Sequence, residues 1–210
     1  MAKRVYWFLM ALAAFGVAAY ALAIIAAPHL RRPFDSSLFA SLPVPVLLHL
    51  GGGAVAIACG ALQVNASLRQ RHIKVHRLLG RLYVLAVIIA GLAALRLAWT
   101  SSGGIPTHLG FGLLAALWLA TTSMAFYHVR AKRIDQHRVW MIRSYALTLA
   151  AVTLRIYIPL SQVAGLPFGA SYIAISWLCW VPNLVIADWW LLAGRHAAKQ
   201  PAPELSIRSA

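Results

Sequence analysis

A chain of 210 residues that is 61% hydrophobic and only 11% charged has too little polar surface to fold as an ordinary water-soluble domain. The composition is that of an integral membrane protein, and a formal net charge of +15 must then be judged by where the charges fall rather than by their sum. No segment alternates apolar and polar residues with period two, which argues against a β-barrel, and no sequence is left over for a soluble catalytic domain.

Six apolar runs follow in chain order, near residues 5–27, 44–64, 78–99, 108–128, 139–162 and 171–193. Each is close to the roughly 20 residues that cross a bilayer as a helix. The expected fold is therefore an all-α integral membrane protein, a single transmembrane domain whose helices two to five form a four-helix core, with 194–210 as a short polar tail. The first run follows Lys3 and Arg4 and ends in AIIAAPH, which resembles a secretory signal, but its length suits an uncleaved helix better. After it, SLFASLPVPV is rich in Ser and Pro and reads as an interfacial loop. In the sixth run, Pro182 of WVPNL removes a backbone donor, so a local break is expected there, with Asn183 supplying a compensating hydrogen bond. Asp188 and Arg143 lie at similar depth, and a lone charge at that depth is costly, so the two are expected to pair inside the bundle. Cys59 and Cys179 fall in opposite leaflets and are expected to be free, packed thiols.

With a cytoplasmic N-terminus, Lys3, Arg4, Arg69, Arg71, Lys74, Arg77, Arg81, Arg130, Lys132, Arg133, Arg138, Arg143, Arg195, Lys199 and Arg208 lie on the inner side. Only Arg31, Arg32, Arg96 and Arg155 fall outside. This asymmetry is the positive-inside rule, and it places the chain in the bacterial inner membrane with both termini cytoplasmic. The basic balance then needs no nucleic-acid partner. The lipid bilayer is the partner that composition demands, and a homo-oligomer is compatible with it.

Acidic residues are limited to Asp35, Asp135, Asp188 and Glu204, and only Asp188 lies within an apolar run. Carboxylate-based hydrolysis and ion pumping are thus poorly supplied, and no phosphate loop, dinucleotide fingerprint or His-Glu-x-x-His pair is present. The reactive inventory that remains is eight histidines. His49 in the second helix and His108 at the start of the fourth are expected at one depth near the outer side. His76 opening the third helix and His137 opening the fifth are expected at one depth near the inner side. Paired neutral imidazoles on different helices of a bundle are what a low-spin haem iron takes as axial ligands. Gly52 and Gly53 follow His49 by about one turn, Gly80 follows His76 and Gly112 follows His108, leaving room for a flat ring, whereas Met141 stands one turn after His137. Arg77, Arg81, Arg138 and Arg143 are placed to meet propionates on the inner side, and Arg96 and Arg155 to meet them, or an anionic substrate, on the outer. Each histidine taken singly is as well explained by a headgroup location beside its Arg neighbours. His29, His72 and His196 have no depth-matched partner, and His128 is a substitute ligand at the inner end.

The blocks HLGGGAVAIACGALQ, HRLLGRLY, QHRVWMIRSYALTLAAVTLRIYIPL and SWLCWVPNLVIADW resemble, in that order, those of the bacterial predicted-membrane-protein family numbered 2306 among the domains of unknown function. The resemblance covers about residues 46 to 192 and implies no activity. More distantly, six helices with histidines on the second through fifth resemble the cytochrome b-561 type of di-haem membrane protein. That resemblance implies one haem b on His49 and His108, another on His76 and His137, and electron transfer from a quinol or other small donor to an acceptor across the bilayer. The chain would be a transmembrane oxidoreductase or redox carrier. Its rivals are a transporter or small-molecule binding protein that meets an anion at Arg96 and Arg155 with histidines as proton relays, a non-haem metal site, and a structural subunit of a larger complex.

Overall fold

The computed structural model describes residues 2–31 and 33–199, and every regular element among them is helical. Ten α-helices follow one another: α1 Ala2–Ala26, α2 Pro33–Ser41, α3 Pro43–Gln63, α4 Ala66–Arg71, α5 Ile73–Ala98, α6 Ile105–Arg130, α7 Ile134–Thr148, α8 Ala150–Val163, α9 Phe168–Leu178 and α10 Val181–Lys199. Six stretches are long and apolar enough to cross a membrane: Arg4–Ala26, Pro43–Gln63, Ile73–Ala98, Ile105–Arg130, Ile134–Val163 and Phe168–Gly194. The protein is thus an all-helical integral membrane protein with six spans.

Three boundaries differ from the sequence expectation. The segment 37–46 expected as a loop is mostly helical, split between α2 and the start of α3. The third span starts at Ile73, one turn and more before the apolar run, because Lys74 and Arg77 can extend the helix while their charged ends stay exposed. The last helix continues to Lys199, well into the expected tail, whose residues 200–210 lie outside the described residues.

The turns close by recognisable chemistry. Asn65 caps α4 by accepting from the Leu68 N–H at 3.1 Å. Arg31 donates to the Ile24 and Ile25 carbonyls at 2.9 and 3.1 Å, satisfying the end of α1. Between α6 and α7, the Arg133 N–H returns to the His128 carbonyl and the Lys132 N–H to the Val129 carbonyl, with Lys132 at φ 59°; this is a Schellman turn made without glycine.

The fifth and sixth spans are each broken. In the fifth, the Thr148 hydroxyl donates back to the Ser144 carbonyl at 2.9 Å, an interaction that bends helices, and Leu149 separates α7 from α8. In the sixth, the expected break is present: Pro182 cannot donate, the Trp180 N–H turns to the Trp177 carbonyl, and α10 begins at Val181.

Packing arranges α3, α5, α6 and α7 as a ring, α3 on α5, α5 on α6, α6 on α7 and α7 back on α3. Hence α3 lies across the ring from α6, and α5 across from α7. Outside it, α1 packs on α3 and α8, α9 on α6 and α8, and α10 on α7. Small residues set these approaches: a Cβ on Gly52 would stand 3.0 Å from the Ala86 carbonyl oxygen and 3.0 Å from the Ala90 Cβ, so α3 and α5 meet almost backbone to backbone. The Gly60 Cα lies directly against the Tyr145 ring. One end of the bundle, formed by the start of α1, α4, the start of α5 and the α6–α7 turn, carries Arg4, Arg69, Arg71, Lys74, Arg77, Arg130, Lys132, Arg133 and Arg138. It is called the basic end below.

Candidate functional site

At mid-height the ring is closed by hydroxyl groups. Tyr83, fully buried on α5, has its hydroxyl 2.7 Å from that of Ser144 and 2.8 Å from that of Thr148, both on α7 across the ring. The Trp118 indole N–H donates to the Thr148 hydroxyl at 2.8 Å, and the Thr122 and Ser144 hydroxyls lie 2.6 Å apart. Every hydroxyl in the cluster has a partner, as burial in an apolar bundle requires. None of these residues stood out in the sequence, because isolated Ser, Thr and Tyr on apolar helices are ordinary and their partners lie tens of residues away.

That cluster fixes the height of the inner pair of histidines. α5 and α7 run parallel, both starting at the basic end. His76 stands seven residues before Tyr83, and His137 seven before Ser144. Seven residues turn an α-helix by about 700°, within about 20° of the starting face. Therefore His76 and His137 occupy the same two faces that Tyr83 and Ser144 join, roughly 10 Å closer to the basic end. His137 has Nδ1 2.9 Å from the Ala125 carbonyl oxygen. The Nδ1 of His76 is buried with no partner among the described residues, and His76 lies within electrostatic reach of His137. The buried Nδ1 of His128, at the end of α6, also lacks one. These histidines do not converge with Cys, Asp or Glu: no group of three such side chains suited to a metal ion exists among the described residues.

The other pair is placed differently. His49 has Nδ1 3.2 Å from the Ala90 carbonyl oxygen on α5 and lines a cavity of about 320 Å³. His108 has Nε2 2.9 Å from the Ser101 carbonyl oxygen, stacks on Trp99 at 6.0 Å between ring centres, and is not among the residues lining that cavity. Ala90 and Ala98 are eight residues apart on α5, so the carbonyl that His49 meets lies roughly 12 Å from the end of α5, beyond which Ser101 meets His108. The two imidazoles thus take their backbone partners at different heights, one on α5 and one in the loop after it.

Of the glycines, Gly53 lines the cavity, and a Cβ there or on Gly112 would meet nothing within 4 Å. Gly52 is taken up by the α3–α5 contact, and a Cβ on Gly80 would stand 3.7 Å from the Gln63 side chain, which itself donates to the His76 carbonyl. Arg77, Arg81, Arg96 and Arg138 are exposed. Arg143 donates to Asp188 at 2.7 Å and lies over the Trp140 ring. The pair forms as expected, but at the rim of the bundle: the two side chains are 28% and 41% exposed, since α10 packs outside the ring. Arg155 lines the cavity, donates to the Ala151 carbonyl at 2.9 Å and lies over the Tyr20 ring. Cys59 and Cys179 are buried and free.

The ring of α3, α5, α6 and α7 together with the two broken spans occupies the stretch that a family model covers, residues 46–191. This chain belongs to the DUF2306 predicted membrane protein family. The match takes in the five histidines of the ring, the hydroxyl cluster and both breaks, and leaves α1, α2 and the polar tail outside. No curated protein and no solved structure matches the chain.

Proposed function

We propose that this DUF2306 protein binds haem b at the basic end of its ring, between His76 and His137, and carries electrons within the bilayer. The observation that carries the reading is the parallel register of α5 and α7 at the Tyr83–Ser144 hydrogen bond, which supports facing imidazoles seven residues nearer the basic end on both helices. The donor set fits the group. His137, whose Nδ1 is held by a backbone carbonyl, is oriented with Nε2 turned away from that bond, the usual arrangement behind a metal-bound imidazole. The Nδ1 of His76 is a buried polar atom without a hydrogen-bond partner among the described residues, an orphaned group at the proposed site. Bound there, haem would supply one-electron redox chemistry. The chain's own part is to hold two imidazoles and to present Arg77, Arg81 and Arg138 at the surface to meet propionates. His49 and His108, whose backbone partners lie at different heights, do not support a second haem in the same way.

The concentration of Lys and Arg at the basic end supports its assignment to the cytoplasm, with both termini on that side of a bacterial inner membrane.

Pyridine-haemochrome assay of protein purified from cells with ample haem tests the reading. One haem per chain is expected, lost in His76→Leu and in His137→Leu and kept in His49→Leu and His108→Leu. Colourless wild-type protein, or haem lost only when His49 or His108 is changed, overturns it.

A further inference from the structure

The cavity beside His49 is separate from the His76–His137 site, and its chemistry points elsewhere. Its volume, about 320 Å³, lies in the range of small-molecule sites, roughly 300–1,000 Å³. Thr148, Ala150 and Cys179 line it, so its floor is where both broken spans change direction. Helix breaks at membrane depth are tolerated where they border a cavity, and they recur at the substrate sites of membrane proteins.

His49 fixes what kind of head group suits this cavity. The Ala90 carbonyl can only accept, so the Nδ1 that contacts it carries the proton, and the neutral ring presents a lone pair at Nε2. No hydrogen bond occupies Nε2 among the described residues. The best complement at that atom is a hydrogen-bond donor such as a hydroxyl. Apart from Ser101, Thr148, Arg155 and Cys179 the remaining wall is aliphatic and aromatic, with Phe111, Trp118 and Tyr172 among its rings, which suits a planar apolar body. We propose that this cavity binds a phenol-type molecule, an aromatic ring whose hydroxyl donates to Nε2 of His49. This assignment stands whether or not the protein holds haem.

Fluorine NMR of the protein in lipid nanodiscs, titrated with 4-(trifluoromethyl)phenol and with its methyl ether, tests it; empty nanodiscs correct for partition into lipid. The ether has the same ring and no donor. Wild-type protein should bind the phenol about tenfold more tightly than the ether, the worth of one hydrogen bond. His49→Phe should abolish that preference while the ether still binds, and His49→Gln, whose side-chain oxygen accepts, should retain part of it. Gly53→Leu projects into open space within the cavity, so it should fold and lose saturable binding of both compounds. Absence of saturable binding, equal binding of phenol and ether, a preference that survives His49→Phe, or undiminished binding by Gly53→Leu each overturns the proposal.

Discussion

Asn183 on α10 donates to the hydroxyl of Thr153 on α8 at 2.8 Å, tying the break of the sixth span to the first turn after the break of the fifth. Its amide also reaches the carbonyls of Ala146 and Cys179 at 3.3 and 3.1 Å. One side chain thus serves both interruptions, and it does so across helices, beyond the repair within its own helix that Pro182 alone would call for.

Asn183→Leu should therefore destabilise the protein by about 1–2 kcal/mol, the scale of interhelical polar contacts in membranes. Thermal unfolding in detergent measures it. A variant as stable as wild type would mean that the two breaks are held independently.

The hydroxyl cluster predicts coupling between Tyr83 and Ser144. Tyr83→Phe leaves Thr148 with Trp118 and Ser144 with Thr122, so a single change should cost only about 1 kcal/mol. Ser144→Ala strips a partner from both Tyr83 and Thr122 and should cost more. In the double variant the two losses should fall short of their sum by at least about 0.5 kcal/mol; strict additivity would show that the hydrogen bond across the ring contributes nothing.

At Gly60 the prediction is steric. A methyl group there meets the Tyr145 ring, which is itself held by a 3.3 Å hydrogen bond from its hydroxyl to the Ile57 carbonyl. Gly60→Ala should cost about 1–3 kcal/mol by overpacking. The same change at Gly112, where a Cβ meets nothing within 4 Å, should leave the melting temperature unaltered.

Arg143 and Asp188 should show a modest coupling, about 1 kcal/mol or less, because both side chains are partly exposed and the attraction is screened. The check is a double-mutant cycle with Arg143→Gln and Asp188→Asn. A pair change no better tolerated than the two single changes added together would exclude the coupling.

If the basic end is cytoplasmic, alkaline phosphatase fused after Lys199 should be inactive and the same enzyme inserted after Ser102 active. The reverse pattern would place the cavity of His49 on the cytoplasmic side.

Hydropathy is a property of contiguous segments, and transfer into lipid is decided segment by segment, so the six spans and the all-helical class were legible along the chain. The break at Pro182 was legible for a similar reason, since a missing N–H is local. The Arg143–Asp188 pair could be read from depth alone because so few charges share that depth. What the tertiary structure decided is rotation: which face of each helix meets which neighbour. His49 and His108 are matched in depth by counting from the helix ends, and packing gives them different partners: the close α3–α5 approach at Gly52 sets His49 against Ala90, while His108, in the first turn of α6, meets Trp99 and the Ser101 carbonyl. The break at Leu149 has no proline or glycine to announce it and follows from a Thr148 back-bond within a cluster whose members come from three helices. Such contacts depend on small residues letting backbones approach, and a helix long enough to cross the bilayer satisfies the hydrophobic effect at any rotation about its axis; only packing against its neighbours chooses one.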